Sequence, residues 1–306
     1  MDGLSNRQFS HWTVARVPAI LLALAAMLAG TFGGGEYVKL TQWVERYGST
    51  ALVTGASSGI GEQFAIQLAE KGFDLLLTAR REPLLRELQS KLERDFGISV
   101  TCFRCDLSDL DQVDALIAQA QSQSVGLVVS NAGYGVAKGD FLSVAHEQQE
   151  AMYRANSIAP ARIAHALLPF MVASGRGGMV FTGSMEGDAA FPYSAAYAAS
   201  KAFLHSLVLA LWCEVKANGV DILLLAPGST DTNAPLSQGI SREQLVGVMS
   251  PGEVARQGLQ RLGKQPHFTP GAHNRLFVTL LRWLPKTWAI KMAGYGMKRA
   301  LDRSAA

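Results

Sequence analysis

A glycine-rich turn between a predicted strand and a predicted helix constrains the fold of this chain more than any other feature. The turn spans Thr54–Gly61, follows a short apolar run, and precedes a helical pattern from Gln63 to Lys71. Gly55 permits a tight turn at the end of the strand, and Gly61 lets the helix pack close to it. Gly59 leaves room for a pyrophosphate, which the helix N-terminus attracts through its free N–H groups. Taken alone, this glycine spacing also fits an ordinary strand-to-helix connection.

The same alternation of strand and helix continues through most of the chain. Short apolar runs predict six strands: Thr50–Thr54, Phe73–Ala79, Ile98–Phe103, Gly126–Ser130, Met179–Thr182 and Val220–Ala226. Apolar residues at helical spacing predict six helices: Gly61–Lys71, Glu82–Phe96, Leu110–Gln121, Glu147–Ala173, Tyr197–Ala217 and Pro251–Lys264. We therefore expect an α/β fold, a single domain with a Rossmann-like, doubly wound parallel sheet.

Length and composition fit one large domain with an extension at each end. The 306 residues are 48% hydrophobic, enough for a sizeable core. We expect the Rossmann domain over residues 49–271, a helical N-terminal extension over residues 1–48, and a helical C-terminal tail over residues 272–306. The net charge of +3 is too small to indicate a nucleic-acid partner. The Cys102–Cys105 pair lacks the further ligands of a metal site, so we expect no metal there.

The N-terminal extension carries an uncharged apolar segment, residues 17–35. Its strongly apolar part, Val17–Gly30, would reach roughly 21 Å as a helix, short of a bilayer core of about 30 Å. The segment fits a membrane anchor, a helix packed on the domain or on another subunit, or a cleaved signal peptide. The positive-inside rule, applied to Arg7 and Arg16, would place the main domain outside. A segment that lies in the membrane without crossing it would leave the domain in the cytosol.

The C-terminal tail, residues 272–306, is strongly basic. It carries seven Lys and Arg residues against Asp302 alone, a formal charge of +6. Leucines and two of the five tryptophans, Trp283 and Trp288, lie between the basic residues. This pattern suits a membrane surface, and it suits equally well a pair of helices that cap a substrate pocket or a subunit interface. Together with the N-terminal segment, the tail favours membrane association.

Two arginines follow the second predicted strand, where a dinucleotide-binding fold uses an acidic residue to hold the ribose hydroxyls. This chain has Ala79 at that point, followed by Arg80 and Arg81. A guanidinium can donate paired N–H groups to a 2′-phosphate. The pattern therefore predicts NADP(H) rather than NAD(H) as the cofactor. The alternative is that both arginines only begin an exposed helix.

Tyr197 and Lys201 are four residues apart on a predicted helix and would share one face. A tyrosine with a pKa of about 10 is a poor acid–base group at neutral pH, and a nearby ammonium lowers that pKa by favouring the phenolate. Ser184 follows the strand Met179–Thr182 at the carboxyl edge of the sheet, where ligands bind. We expect its hydroxyl and Tyr197 to converge on one carbonyl oxygen. Tyr193 has no lysine four residues on and is excluded.

With these residues in place, the chain resembles the short-chain dehydrogenase/reductase family, of the compact single-domain type with an added apolar N-terminal extension. The resemblance covers about residues 49–235 and rests on motifs that occur in order: Thr54–Gly61, Cys105–Leu107, Asn131–Gly133, Asn156, Ser184, Tyr197 with Lys201, and Pro227-Gly228 with Thr232. It implies that Tyr197 transfers the proton and that Ser184 hydrogen-bonds the substrate oxygen. It further implies that Lys201 holds the nicotinamide ribose and that Asn156 positions a water molecule.

The resemblance also implies the residues of the cofactor site. Asp106 and Leu107 would contact the adenine, and Thr232 would reach the carboxamide. The predicted site comprises Gly55, Ser57, Ser58, Gly59, Ile60, Gly61, Arg80, Arg81, Asp106, Leu107, Asn131, Ala132, Gly133, Tyr197, Lys201, Pro227, Gly228 and Thr232.

These features predict an NADP(H)-dependent oxidoreductase that interconverts a carbonyl and a secondary alcohol. The apolar termini favour a lipophilic substrate, such as a fatty acyl chain, a sterol or a retinoid, in a pocket built from residues 230–248 and the tail. The family resemblance implies a homo-oligomer. We expect a membrane-associated protein whose catalytic domain faces the cytosol, where the cofactor occurs; without that attachment it would be cytoplasmic.

Two other functions share this fold. A catalytically silent dinucleotide-binding sensor or scaffold is disfavoured because all four catalytic positions, Asn156, Ser184, Tyr197 and Lys201, are filled. An epimerase or dehydratase that acts on nucleotide sugars is disfavoured by the glycine spacing and by the absence of a longer substrate domain from the sequence pattern.

Overall fold

The computed structural model of the protein describes residues 42–240, 245 and 247–302. From Val44 onward, the chain forms one compact unit. The apolar segment at residues 17–35, which the sequence suggests as a membrane anchor, lies outside the described residues, as do the last four residues of the tail.

Seven parallel strands form the central sheet, in the order β3-β2-β1-β4-β5-β6-β7. They are β1 Thr50–Thr54, β2 Asp74–Ala79, β3 Val100–Arg104, β4 Leu127–Ser130, β5 Gly177–Thr182, β6 Val220–Leu225 and β7 His267–Phe268. The chain runs outward from β1 to β3 and then crosses to the other side of β1 with β4. Such a reversal opens a crevice at the carboxyl ends of the strands, where α/β sheets bind their ligands.

Helices cover both faces of the sheet and build the tail. They are α1 Gly59–Ala69, α2 Glu82–Phe96, α3 Leu110–Ser122, α4 His146–Tyr153, α5 Ala159–Ser174, α6 Ala195–Val215, α7 Ala234–Ser237, α8 Pro251–Arg261, α9 Ala272–Trp283 and α10 Lys286–Asp302. Local chemistry fixes several ends. The carboxylate of Asp109 accepts hydrogen bonds from the first turn of α3, and the hydroxyl of Ser250 does the same for α8.

The core explains why the central strands are so apolar. Every residue of β4, β5 and β6 is buried, because helices lie on both faces of the sheet. On one face, a cluster joins the strands to α3, α5 and α6, with Val128 and Met179 meeting Ile163 and Leu204. Each fully buried aliphatic side chain of this kind contributes about 1.5–3 kcal/mol. The predicted fold class and the single Rossmann-like sheet are confirmed.

The predicted helix Glu147–Ala173 is wrong in one respect, because it is interrupted. A π-helical turn, Arg154–Ile158, separates α4 from α5. The side chain of Asn156 is held there by the backbone of Tyr134, an interaction that apolar spacing cannot reveal. The strand β7 was also missed, since two residues are too few to give a periodic signal. The third strand begins at Val100 rather than Ile98.

Two helical stretches among the described residues, 146–174 and 195–218, are long and apolar enough to cross a membrane. Both pack against the sheet, where Leu167, Met171 and Val208 belong to the core cluster. Their apolar character is therefore explained by their place in the core.

The tail helices α9 and α10 pack on the segment that follows β5. Leu281, Ala289 and Ala293 contact Phe191 and Ala198 in a small apolar cluster. A buried polar cluster lies beside it. The guanidinium of Arg282 donates to the carboxylate of Asp188 over 2.8 Å, and the same carboxylate faces His205 and His267 at 3.6 and 3.9 Å. The tail therefore packs on the domain, and its interpretation as a membrane surface stays a prediction.

The chain enters the domain at the amino ends of the strands, opposite the end that the tail covers. The Tyr47 hydroxyl donates to the buried carboxylate of Asp221 over 2.9 Å, and the Arg46 guanidinium donates to it over 2.7 Å. Asp221 lies near the start of β6, and the Tyr47 ring leaves no room for a side chain at Gly178, near the start of β5. Residues 44–47 therefore dock at the amino ends of the strands.

Candidate active site

A cavity of about 790 Å³ opens along the carboxyl ends of the strands. Its wall includes most of the predicted site residues: Gly55, Ser57, Ser58, Gly59, Ile60, Arg80, Arg81, Asp106, Leu107, Asn131, Ala132, Gly133, Ser184, Tyr197, Lys201, Pro227, Gly228 and Thr232. Gly61 and Asn156 do not line the cavity but contact residues that do. The structure thus brings the separate sequence motifs to one place.

The glycine turn needs its three glycines for different reasons. Gly55 and Gly59 have left-handed backbones, with φ of +69° and +63°, which side-chain-bearing residues rarely adopt. A Cβ at Gly59 would lie 2.9 Å from the Thr232 methyl group. A Cβ at Gly61 would overlap the carbonyl of Gly55, so α1 could not begin this close to the strand. The turn therefore exposes backbone N–H groups to the cavity at the start of a helix.

The two arginines after β2 lie at the same end of the cavity. The Arg81 guanidinium donates to the hydroxyls of Ser57 and Ser58 over 3.0 and 2.7 Å. The Arg80 guanidinium lies 5.5 Å from the centre of the Tyr134 ring and 4.0 Å from the carboxylate of Asp106. Two cations and two hydroxyls at the rim form a suitable site for a phosphate group.

Asp106 and Asn131 hold the loops around this end of the cavity. The Asp106 carboxylate accepts hydrogen bonds from the backbone and hydroxyl of Ser108, so it also acts as a turn residue. The Asn131 amide donates to the Thr54 carbonyl and accepts from the Thr182 hydroxyl. Asn131 thereby ties the ends of β1, β4 and β5 together.

Asn156 is buried behind the cavity, in the π-helical turn. Its side chain accepts from the Tyr134 N–H over 3.0 Å and donates to the Tyr134 carbonyl over 2.8 Å. A Cβ at Gly133 would lie 3.0 Å from the Asn156 amide oxygen and 3.1 Å from the Lys201 ammonium. Asn156 and Lys201 therefore flank the same small space.

Tyr197, Ser184 and Lys201 meet in the middle of the cavity. Ser184 follows β5, and the other two lie one turn apart on α6. The Lys201 ammonium is 96% buried, donates to the Thr182 carbonyl over 2.9 Å, and lies 5.8 Å from the centre of the Tyr197 ring. Tyr193, which the spacing excluded, does not line this cavity.

The electrostatics of Tyr197 differ from the sequence-based expectation. Burial raises the pKa of Tyr197, the Glu186 carboxylate raises it further, and a hydrogen bond with Ser184 partly offsets both effects. Burial also lowers the pKa of Lys201 to about 8. The sequence predicts a lowered pKa for Tyr197, but the pKa is raised, chiefly because burial removes water from the phenol.

Sequence reasoning missed two charged residues on the cavity wall, Lys138 and Glu186. They form an ion pair beside Tyr197. Glu186 lies two residues after Ser184, so its place next to the site could have been found from the sequence. Lys138 lies in a loop without a motif, and no local pattern indicates its role.

The Cys102–Cys105 pair lies around the end of β3. Burial raises the pKa of the Cys105 thiol to about 12 and also raises the pKa of the Cys102 thiol. Both thiolates, the forms that react with oxidants and metals, are therefore disfavoured.

Comparison with known proteins gives a consistent result. A family model described as short chain dehydrogenase matches residues 49–242. A 7beta-hydroxysteroid dehydrogenase from Clostridium sardiniense is 31% identical, over 76% of this chain and 88% of that protein. A very-long-chain 3-oxoacyl-CoA reductase from Mycosarcoma maydis is 30% identical, over 93% of this chain and 89% of that protein. A short-chain dehydrogenase from Sphingobium yanoikuyae, solved in complex with NADPH, superimposes with a TM-score of 0.70 at 29% identity, over 77% of this chain and 96% of that one.

Proposed function

Because the chain belongs to the short-chain dehydrogenase/reductase family, we propose that it transfers hydride between NADP(H) and a lipophilic carbonyl compound or secondary alcohol, with Tyr197 as the acid–base group. The protein is an oxidoreductase that acts on CH–OH and C=O groups with NADP(H). One observation carries the finer proposal. Tyr197, Ser184 and Lys201 converge on a cavity that is partly walled by apolar residues of the tail.

The residues at one end of the cavity fit NADP(H). Gly59 has a positive φ, and a Cβ at this position would be crowded by its neighbours, so glycine is strongly favoured. Because glycine has no side chain, the turn would leave room for a pyrophosphate. The Arg81 guanidinium and the hydroxyls of Ser57 and Ser58 would hold a 2′-phosphate. When bound, the cofactor supplies or accepts the hydride. Asn131 to Gly133 would line the cofactor cleft, and Thr232, which lies beside Gly59, would reach the carboxamide.

Tyr197 would handle the proton at the substrate oxygen. In reduction its hydroxyl donates the proton to the carbonyl oxygen, and in oxidation its phenolate accepts the proton of the alcohol. Ser184 would donate a hydrogen bond to the same oxygen and so hold it in place. Because the pKa of Tyr197 is raised, the residue is protonated at neutral pH, the form that reduction requires.

Asn156 and Lys201 would return the proton to Tyr197. Both polar groups flank one small space beside Gly133. A water molecule placed there would connect the Lys201 ammonium with the Asn156 amide oxygen. The π-helical turn holds that amide in place through two hydrogen bonds to Tyr134.

The substrate end of the cavity supports a lipophilic substrate. The part of residues 230–248 that the structure describes contributes Ala234, Pro235, Ile240 and Leu245 to the wall. The tail contributes Phe277, Met292, Ala293, Tyr295 and Met297. Relatives named for hydroxysteroids and very-long-chain 3-oxoacyl-CoA agree with a substrate of this class.

A panel of ketones of increasing lipophilicity, assayed with NADPH and with NADH, tests the proposal. We expect NADPH to be preferred and kcat/KM to rise with lipophilicity. Tyr197→Phe should abolish turnover while NADPH binding, measured by fluorescence, is retained, and Tyr193→Phe serves as the matched control because Tyr193 does not line the cavity. Full activity on small water-soluble ketones and none on lipophilic ones would overturn the substrate class, and unchanged turnover by Tyr197→Phe would overturn the catalytic assignment.

The outer face of the tail supports the proposed membrane association. Leu276, Leu280, Trp283 and Trp288 are between 54% and 84% exposed. Lys286, Lys291, Lys298 and Arg299 are exposed beside them. Apolar side chains flanked by lysine and arginine suit the surface of an anionic bilayer. The mouth of a pocket for lipophilic substrates would then face their source.

A homo-oligomer is supported by a separate surface. Phe170 on α5 and Phe203 and Leu209 on α6 are large apolar residues with 60%, 43% and 38% of their surface exposed. Exposed apolar groups on two neighbouring helices suit a subunit interface. Analytical ultracentrifugation of the wild type and of Phe170→Ser would test this, since a monomeric wild type contradicts it.

A further inference from the structure

Lys138 and Glu186 form a buried ion pair on the cavity wall. The Lys138 ammonium lies 2.5 Å from one oxygen of the Glu186 carboxylate, and the two side chains are only 4% and 16% exposed. Ser194 completes the arrangement, since its hydroxyl donates to the other carboxylate oxygen over 2.5 Å and accepts from Lys138 over 3.2 Å. The pair is therefore fixed by three polar contacts.

This ion pair faces the proposed acid–base residue. The Lys138 ammonium lies 5.6 Å from the centre of the Tyr197 ring, slightly closer than the 5.8 Å of Lys201. Glu186 lies near enough to raise the pKa of Tyr197, an effect second only to burial. Tyr197 thus has two ammonium groups within 6 Å of its ring centre, and the Glu186 carboxylate is paired with one of them.

The loop that carries Lys138 is held in position from two sides. The Lys138 N–H donates to the Gln238 carbonyl over 3.2 Å, and the Gly139 N–H donates to the Tyr193 carbonyl over 2.9 Å. The backbone of this loop is therefore fixed, while the Lys138 side chain is held by Glu186 and Ser194. A buried ion pair is weak evidence of stabilisation, because desolvation offsets the attraction between the charges. Its position beside Tyr197 suggests a different role.

We propose that Lys138 and Glu186 are positioning residues that together set the proton affinity of Tyr197. The inference rests on the proposed function, in which Tyr197 carries the proton. The two opposite charges act against each other at Tyr197, and the carboxylate has the larger effect. Removing either one leaves the other unopposed in a poorly solvated cavity, where its effect on ionisation is large.

The cavity wall also carries ionisable groups other than Lys138 and Glu186. On the catalytic side, Lys201 also faces Tyr197, and the Ser184 hydroxyl contacts it. The tail contributes Tyr295 to the wall. The remaining ionisable residues of the wall lie at the cofactor end: Arg80, Arg81, Cys105, Asp106 and Tyr134.

The two single substitutions should have opposite effects. In Glu186→Gln the ammonium of Lys138 is unopposed, so the phenolate is favoured and Tyr197 titrates at lower pH. In Lys138→Met the carboxylate of Glu186 is unopposed, so the phenolate is disfavoured and Tyr197 titrates at higher pH. Each shift should be about one to two pH units, as expected for a unit charge about 6 Å away at an effective dielectric constant of about 20–40. The double variant should titrate close to the wild type.

Two measurements test this. The first is the ultraviolet difference absorbance of tyrosinate against pH, with the Tyr197→Phe titration subtracted so that only Tyr197 is reported. The second is the pH profile of kcat/KM for the oxidation of cyclohexanol. If cyclohexanol is not turned over, the secondary alcohol 2-decanol takes its place. The rising limb of the profile reports the deprotonation of the catalytic base. The first needs no substrate, so it remains informative if the proposed reaction is wrong.

Matched controls come from an exposed ion pair on α8, where Arg256 contacts Glu253. Glu253→Gln and Arg256→Met make the same charge changes away from the cavity wall and should leave both titrations unchanged. Opposite shifts of the two single variants, cancelling in the double variant, support the proposal. Shifts in the same direction, or shifts matched by the α8 controls, would overturn it, since a purely structural role predicts no such reversal of sign.

Discussion

Arg81 is the residue that we propose selects NADP(H) over NAD(H). It lies at the end of β2, and its guanidinium is held by the hydroxyls of Ser57 and Ser58 in the glycine turn. These contacts fix the cation where a 2′-phosphate would lie, rather than leaving it to move in solvent. A hydrogen bond to a charged group contributes about 1.5–3 kcal/mol.

Arg81→Ala should therefore weaken NADPH binding by about 10- to 100-fold and leave NADH binding nearly unchanged. Isothermal titration calorimetry with both cofactors measures the difference. Arg86→Ala is the control, because Arg86 is paired with Glu82 on the exposed face of α2. An equal loss for NADPH and NADH would mean that Arg81 acts only on the shape of the turn.

The buried ammonium of Lys201 should lower the free energy of unfolding of the wild-type protein. Its pKa falls from 10.5 to about 8 on folding, because the ammonium is buried. Below about pH 8 the lysine is protonated in both the folded and the unfolded state, so the full desolvation cost is present. Between pH 8 and 10.5 the folded protein has released the proton that the unfolded chain still holds, so the stability of the wild type rises.

Lys201→Met should therefore raise the free energy of unfolding by about 2 kcal/mol at pH 7, after allowance for the lost hydrogen bond to Thr182. The gain should shrink as pH rises through the window from 8 to 10.5. Urea unfolding at several pH values measures it, with Lys91→Met on the exposed face of α2 as the control. A gain that does not depend on pH would contradict the stated cause.

At this scale, the sequence is informative wherever function depends on local spacing. Tyr197 and Lys201 share a helix face, and Arg81 follows a strand, so their places could be predicted. The role of Lys138 could not, because it depends on Glu186, which is brought to it by the fold. The direction of the Tyr197 pKa shift was also out of reach, since burial is a property of the assembled cavity.

Among the elements, the junction of β1 and α1 depends most on close packing. A Cβ at Gly61 would overlap the carbonyl of Gly55 and would also lie only 2.6 Å from the Asn131 amide nitrogen. A larger residue at position 61 must push the helix away from the strand. The N–H groups at the start of α1 would move with it.

Gly61→Ala should lower the free energy of unfolding by about 1–3 kcal/mol, as overpacking does in a well-packed core, and should weaken NADPH binding. Gly296→Ala is the matched control, because a Cβ there meets nothing and alanine is the better helix former. The control should be neutral or stabilising by up to about 1 kcal/mol. Thermal unfolding and NADPH titration of both variants check this, and equal effects would refute the packing argument.

Element positions were largely predictable because the apolar runs match strands that are buried on both faces. The interruption between α4 and α5 was not, because the apolar spacing of both helices continues on either side of it. It is produced by the contact between Asn156 and Tyr134, residues that lie far apart in the sequence. The family resemblance named Asn156 as functional without indicating that the helix widens there.

On the scale of the whole molecule, the tail has two different faces. Its inner face packs on Phe191 and completes the cavity, and its outer face exposes tryptophans and cations. The sequence pattern fitted both a pocket cap and a membrane surface, and the two interpretations are compatible because they use opposite sides of the same helices.

Replacing Trp283 and Trp288 with Ala should reduce binding to vesicles that contain anionic lipid by about tenfold or more, since each tryptophan loses a large apolar contact. Vesicle flotation with and without residues 1–41 measures it, so that the tail is assessed apart from the N-terminal segment. Added salt should weaken binding further. Phe96→Ala with Phe141→Ala is the control for exposed aromatic residues elsewhere. Equal binding by all variants would exclude the tail as a docking surface.

The contact between Tyr47 and Asp221 has a consequence for how such a molecule can be oriented. The polypeptide enters the sheet at the amino ends of its strands, whereas the tail covers the carboxyl ends. Residues 46 and 47 and the tail therefore lie at opposite ends of the strands. If the outer side of the tail binds a bilayer, the strand ends that carry the cavity lie toward the lipid, and the contact between Tyr47 and Asp221 lies away from it.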